Sequence, residues 1–166
     1  MQLSEFFDYK NRLMEDLLTN ERIVHLIDES LDMDNAKTLA YTRVFPYEFI
    51  PETIEQGKTF ICFDVDIQKS INKTFLLPVI SVWVFSHKSN QQAPGGGVLT
   101  DTLVSEIAKI LNGSRMYGLG ELDLYSVRRF APAMDYHGKI MTFHTKEYNR
   151  PTPNQHTVPD NRRKQK

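Results

Sequence analysis

The segment Thr59-Phe-Ile-Cys-Phe-Asp-Val-Asp-Ile67 alternates between apolar and more polar side chains, and the fold of the chain is inferred outward from it. On an extended chain one face carries Ile61, Phe63, Val65 and Ile67, and the other carries Cys62, Asp64 and Asp66. A period of two is typical of a β-strand with one buried face. The segment therefore predicts a strand that packs one side against a core.

A second predicted strand follows at residues 75–85, which are apolar almost throughout. Such a run is typical of a strand that is covered on both faces. Pro78 lies inside it and removes one ladder donor, which favours a bulge or an edge near the start of the strand. Residues 68–73 join the two strands and carry Asn-Lys turn chemistry, so a hairpin is predicted.

Two helices are predicted before this hairpin. Residues 4–18 have an amphipathic pattern, and Ser4 is a plausible N-cap. A second, short helix would be capped by Thr19 or Asn20 and end near Ser30. The stretches that follow are predicted as a polar linker at residues 32–37 and a strand at residues 40–45 that Pro46 ends.

The second half of the chain is predicted to hold one more helix and a closing pair of strands. Thr100 is the expected cap of a helix over residues 100–112, which would cover the central strand pair. Residues 87–98 before it form a glycine-rich loop that we expect to stay outside the core. A third central strand is predicted at residues 122–127 and a last strand at residues 139–146.

This order of elements predicts an α+β fold with a mostly antiparallel sheet packed against two or three helices. We expect residues 1–148 to form a single domain. Residues 149–166 have no apolar periodicity and end in basic residues, so they predict a disordered basic C-terminal tail.

The composition places the chain among ordinary soluble globular proteins. It has 166 residues, 40% hydrophobic and 25% charged, with a net charge of −1. This charge gives no general attraction to nucleic acid or to anionic lipid. Cys62 is the single cysteine, which excludes an internal disulfide and a cysteine-based zinc site and favours an inert, partly buried thiol. We predict no signal peptide and no membrane span.

Four carboxylates are the only candidates for a metal site. Asp64 and Asp66 share one strand face, and Glu121 and Asp123 share another. If the two strands were neighbours, the four groups would suit Mg²⁺ in a nucleic-acid enzyme. Such pairs also arise by chance, and no partner motif accompanies them. We therefore predict no metal, no cofactor and no enzymatic activity.

The segment of residues 43–51 (Arg-Val-Phe-Pro-Tyr-Glu-Phe-Ile-Pro) is aromatic and punctuated by proline. Two interpretations stay open. The segment packs along an edge of the sheet, or it contacts another protein subunit or partner through Phe45, Tyr47 and Phe49, because rigid aromatic area is ordered at low entropic cost.

The aromatic segment, the strand at 59–67 with its apolar partner, and the helix at 100–112 before a closing hairpin together resemble tailed-bacteriophage neck or tail-completion proteins, the tail-terminator and head–tail joining group. The resemblance covers about residues 20–148. It implies a tail-terminator-like fold without catalytic residues. It also implies a ring, usually of six copies, that ends the tail tube and joins it to the head connector.

The resemblance further implies the partners and the location. The partners would be other copies of the chain, the tail tube protein and a head-completion or connector protein, without a membrane. The location would be the neck or tail of a virion made in the host bacterial cytoplasm. DNA would pass without sequence recognition, and Asp64 and Asp66 are our candidates for the channel face, since like charge repels phosphate. The alternatives are a protein-binding adaptor using residues 45–51 and the metal-dependent enzyme.

Overall fold

A computed structural model describes residues 4–53, 55, 57–71 and 74–149, except for the side chains of residues 4–7 and 69. The predicted basic tail at 149–166 lies outside the described residues apart from Asn149, whose amide donates to the carbonyl oxygen of Thr74 at 2.8 Å.

The described strands form a five-stranded sheet in the order β1-β2-β3-β5-β4. The strands are β1 (Val44–Phe45), β2 (Thr59–Ile71), β3 (Phe75–His87), β4 (Leu119–Phe130) and β5 (Tyr136–Tyr148). The pairs β2–β3, β3–β5 and β5–β4 are antiparallel, and only the short β1 runs parallel to its neighbour β2. The predicted α+β class with a mostly antiparallel sheet is confirmed.

The β2–β3 hairpin and its irregularity at Pro78 are also confirmed. Ile67 pairs with Pro78 and Lys69 with Leu77, so Gln68 is an extra residue on β2. The β3–β5 register skips Leu77 and Pro78, as expected because proline has no N–H to donate to a ladder.

The predicted spatial order of the last strands is wrong. The strand predicted at 122–127 as central is part of β4, which lies at the edge, and the strand predicted last, at 139–146, is part of β5, which lies between β3 and β4. Strand order depends on contacts between distant parts of the chain, which local periodicity does not carry.

Both N-terminal helices are confirmed, as α1 (Ser4–Leu18) and α2 (Glu21–Ile27). The side chain of Asn20 caps α2 by accepting from the backbone N–H of Ile23 at 3.0 Å. Ser4 is the first helical residue of α1, so it does not occupy the predicted capping position.

Two predictions between residues 32 and 45 are wrong. The polar linker is a 3-10 helix, Met33–Leu39, whose Ala36 and Leu39 are buried in the core. The strand predicted at 40–45 is reduced to β1, because residues 41–43 form a turn in which Tyr41 has a φ of 60°.

The third helix, α3 (Leu99–Leu111), begins one residue earlier than predicted. Its N-cap is Val98, and Thr100 is buried in the first turn. The helix packs on β3 of the predicted β2–β3 pair and also on β5 and β4. The loop before it is partly built into the fold, since Ala93 is buried and its amide donates to the carbonyl oxygen of Gly97 at 3.0 Å.

Candidate functional surface

The two faces of the sheet are treated differently. All three helices pack into one apolar core with the face of β2 that carries Ile61, Phe63 and Val65. The opposite face, here called the bare face, has a separate apolar cluster to which no described helix contributes. The alternation read from residues 59–67 thus separates a helix-covered side from a side without helices.

One half of the bare face is aromatic. Its buried members are Phe45, Phe60, Cys62, Phe85 and Tyr136, and Phe49, Trp83 and Phe130 pack against them. The chain after β1 folds over this half, with the rings of Phe45 and Phe49 stacked at 4.0 Å between centroids. This half of the face is therefore filled by the protein's own side chains.

The other half of the bare face is a shallow groove of about 440 Å³, here called the polar groove because most of its lining residues have polar side chains. Four strands contribute its lining: Asp66 and Gln68 from β2, Val79 from β3, Tyr125, Ser126 and Arg128 from β4, and Thr142 and His144 from β5. The rings of Tyr125 and His144 stack at 4.2 Å with an interplanar angle of 11°. Sequence periodicity did not single out this groove, because it assembles only when β5 lies between β3 and β4.

The two predicted channel-facing carboxylates are not equivalent. Asp64 forms an ion pair with Lys10 of α1 at 2.5 Å, and its carboxylate also accepts from the backbone N–H of Val65 at 2.7 Å. Asp66 is exposed and makes no ion pair within the described residues. The Asp64–Lys10 contact joins residues that are far apart in sequence, and no local pattern indicates it.

The aromatic segment divides between the two interpretations. Phe45 is buried and Phe49 is half-buried, and both contact the ring of Phe60 of the protein's own sheet, at 6.5 and 5.7 Å between centroids. Tyr47 and Ile50 are each 45% exposed. Packing on the sheet thus accounts for Phe45 and Phe49. Contact with a partner stays a prediction, and Tyr47 is the best candidate of the three aromatic residues for it.

The carboxylate pairs do not meet. Asp64 and Asp66 lie on β2, Glu121 and Asp123 lie on β4, and both β3 and β5 separate these strands. Glu121 pairs with Arg115 at 2.8 Å instead. Among the described residues no group of three or more His, Cys, Asp or Glu side chains is placed to hold a metal ion. The condition for a four-carboxylate site, neighbouring strands, is not met.

Cys62 is fully buried under the aromatic half of the bare face. Its Sγ donates weakly to the carbonyl oxygen of Phe49 at 3.7 Å, and burial raises the pKa of the thiol to about 12. A thiol in this state is a poor nucleophile, because the reactive species is the thiolate.

Arg43 is a cationic residue near the aromatic half that sequence reasoning did not single out as a site. Its guanidinium lies 5.7 Å from the ring centroid of Phe60. Burial lowers its pKa, against the attraction of the carboxylates of Asp28 and Glu55. Its Nη1 is buried and has no hydrogen-bond partner among the described residues.

Both open edges of the sheet bear exposed side chains. β4 has β5 on one side only, and Tyr125 and Val127 on it are 71% and 44% exposed. On the opposite edge β1 pairs only with Ile61 and Cys62, so on that side β2 has no strand partner beyond Cys62 among the described strands.

Comparison with protein families finds a match to the YomW family over residues 16–145. The match runs from within α1 to near the end of β5, so it includes most of the sheet and both of its faces. No curated protein matches the chain. Within the described residues, no helix is long and apolar enough to cross a membrane.

Proposed function

Because the chain belongs to the YomW family, whose phage-derived name indicates a phage-associated protein, we propose that it is a structural protein of the phage neck or tail. In this role copies of the chain form a ring, of six subunits by resemblance, that ends the tail tube and joins it to the head connector. Its partners are other copies of the chain, the tail tube protein and a head-completion or connector protein.

The bare face is the observation that carries this proposal. Strands of 12 or 13 residues form it, which corresponds to about 40 Å of extended chain. The helices and their core support the sheet from behind. A sheet backed in this way is a stiff wall, and the groove half of its second side is open to contact with something outside the subunit.

The charge of the polar groove suits a wall past which DNA moves. The groove contains one carboxylate, Asp66, and one guanidinium, Arg128, and Lys10 neutralises the neighbouring Asp64. Binding of duplex DNA depends mainly on Lys and Arg contacts to phosphates. A nearly neutral face would not hold the duplex. We therefore propose that Asp64 and Asp66 belong to a channel face that is nearly neutral, not strongly acidic.

The proposal is tested in the phage that encodes the chain. We expect a nonsense mutation in its gene to yield heads and tails that do not join, or tails of irregular length, in negative-stain micrographs. Complementation with the wild-type chain should restore joined particles, and immunogold labelling should place the chain at the neck. Normal infectious particles that lack the chain would overturn the proposal.

A protein-binding adaptor is the second candidate, and the exposure of Tyr47 and Ile50 favours it. An adaptor would bind its partner as a monomer and would be absent from purified virions. Tyr47→Ala would then abolish partner binding, whereas Met134→Ala, at another exposed side chain, would leave it unchanged. Mass spectrometry of purified virions separates this candidate from the ring.

A further inference from the structure

The two edges of the sheet offer unpaired backbone to another chain. On the side away from β5, β4 is unpaired from Tyr125 onward, because Leu122 bonds there to the backbone of residues 113 and 114 and the amide of Leu124 donates to the side chain of Asn112. On the side of β1, β2 has no strand partner from Phe63 onward, and its Val65 amide donates to Asp64. Exposed edge strands readily pair with a second chain, and proteins usually protect them with charges, prolines or covering segments. Neither described edge contains a proline in these stretches.

The side chains on these edges are complementary in kind. On the helix-covered side, Val127 of β4 is 44% exposed and Ile67 of β2 is 36% exposed. Val127 belongs to this side because it pairs with Met141, which is buried in the helix-side core. On the bare face, Arg128 of β4 and Asp66 of β2 are exposed charges in the lining of the polar groove.

We propose that β4 of one copy pairs antiparallel with β2 of the next copy, with Val127 opposite Ile67 and Arg128 opposite Asp66. The sheet then continues from subunit to subunit. This inference rests on the proposed ring, and it names the surfaces through which the ring is built.

A single register satisfies both contacts. In an antiparallel pair, one step forward on one strand is one step backward on the other. Val127 opposite Ile67 therefore places Arg128 opposite Asp66, with the apolar pair on one face and the ion pair on the other. Parallel pairing with the same apolar contact would place Arg128 opposite Gln68 and lose the ion pair.

The geometry of the contact also fits a ring. The two edges belong to different strands, so the interface is heterologous and repeats head to tail. Such an interface closes into a ring when its rotation divides the circle evenly. The strand-to-strand bonds would give affinity, and the side-chain pairs would give the register.

Cysteine cross-linking tests the register directly. Within one chain β3 and β5 lie between residues 67 and 127, which are therefore at least about 14 Å apart at the usual strand spacing. A disulfide needs Cα atoms within about 7 Å, so only a bond between copies is possible. Under mild oxidation the Ile67→Cys/Val127→Cys variant should give a ladder of linked chains on a non-reducing gel. An equimolar mixture of the two single variants should give a linked dimer.

The matched control is Val104→Cys/Ile67→Cys, in which the first residue lies on α3, away from both edges. It should not form the ladder. The native Cys62 is buried, so it should not contribute. If the free chain is monomeric, the same oxidation is carried out on purified tails that carry the variant.

Charge reversal tests the ion pair. Asp66→Arg and Arg128→Asp should each weaken self-association about tenfold or more. Analytical ultracentrifugation measures this for the free chain, and the fraction of the variant chain bound to purified tails measures it on tails. The double variant should recover most of that loss, because the pair is restored with opposite polarity. Glu29→Arg and Lys37→Asp, at exposed charges on the helix side, are the matched controls.

The outcomes separate this pairing from the function on which it rests. A wild-type ring without the cross-link and without sensitivity to either reversal overturns the pairing and leaves the ring. A wild-type chain that stays monomeric in solution and on tails overturns both. Thermal unfolding of each variant verifies that it is folded. If a charge-reversal variant does not fold, the cross-linking of the cysteine variants alone decides whether the proposed strand pairing is correct.

Discussion

At the scale of single residues, Gly138 decides how closely β3, β5 and β4 approach. It pairs with Phe85 of β3 and with Phe130 of β4, and these two rings meet edge to face at 5.8 Å between centroids. A Cβ at position 138 would lie 2.7 Å from the Cα of Phe85 and closer still to the carbonyl oxygen of Val84. The absence of a side chain is what allows the aromatic half of the bare face to close.

We expect Gly138→Ala to lower the free energy of unfolding by about 2–3 kcal/mol or more, since a backbone contact cannot be relieved by a side-chain rotation. Urea unfolding followed by circular dichroism measures it. Gly120→Ala is the control, because Gly120 has a φ of 91° but open space around its Cβ position. It should cost only about 1 kcal/mol of backbone strain. Equal losses would show that packing at Gly138 is not the cause.

The second prediction at this scale concerns the thiol of Cys62. Burial raises its pKa from 9.0 to about 12, which lowers the thiolate fraction at pH 8 about a thousandfold. We expect negligible reaction with a disulfide reagent at pH 8 in the folded protein. Reaction should become rapid once urea unfolds it. Fast labelling without denaturant would contradict the burial of the thiol.

At the scale of elements, α1 is fastened to the rest of the molecule by polar contacts along its length. Tyr9 donates to Glu147 of β5 at 2.8 Å, and Arg12 donates to the carbonyl oxygen of Met116. Tyr117, buried between α3 and β4, donates to Asp16 at 2.5 Å. These contacts hold the helix across the sheet and thereby bring Lys10 to Asp64.

Tyr117→Phe should therefore loosen α1. We expect a loss of about 1.5–3 kcal/mol in the free energy of unfolding, the usual value of a hydrogen bond to a charged group. Urea unfolding measures it, and hydrogen exchange should show faster exchange of the α1 amides. Tyr125→Phe removes a hydroxyl from an exposed ring and should change stability by less than about 0.5 kcal/mol. A similar loss in both variants would argue against the Asp16 contact.

At the scale of the whole molecule, the described sheet and the basic C-terminal segment should differ in their affinity for DNA. The chain has a net charge of −1, and the polar groove balances Asp66 with Arg128. The positive charge near the C-terminus lies in residues 150–166. Electrostatic attraction to phosphate should therefore come from that segment and not from the bare face.

We expect a chain truncated after Asn149 to show no measurable binding to duplex DNA at 150 mM salt by fluorescence anisotropy. Binding by the full chain should be weak and should fall steeply as salt is raised, since it releases counterions. Arg128→Gln in the truncated chain should change nothing. Binding by the truncated chain as tight as that of the full chain would contradict a neutral bare face.

Much of the fold follows from periodicity over short distances. The alternation at 59–67 assigns Ile61 and Phe63 to one face and Cys62 to the other, and the missing N–H of Pro78 predicts the bulge. The helical pattern at 4–18 and the cap at Asn20 follow in the same way. Each of these features depends on neighbours within a few residues, so the chain itself carries the information.

Only the tertiary structure decides the strand order and, with it, the candidate functional surface. By placing β5 between β3 and β4, it separates Asp64 and Asp66 from Glu121 and Asp123 and creates the polar groove. It also neutralises Asp64 with Lys10 and leaves Val127 exposed at an edge. The reason is physical: strand pairing and ion pairs join residues distant in sequence, and the packing of the whole core selects among pairings that local patterns allow equally.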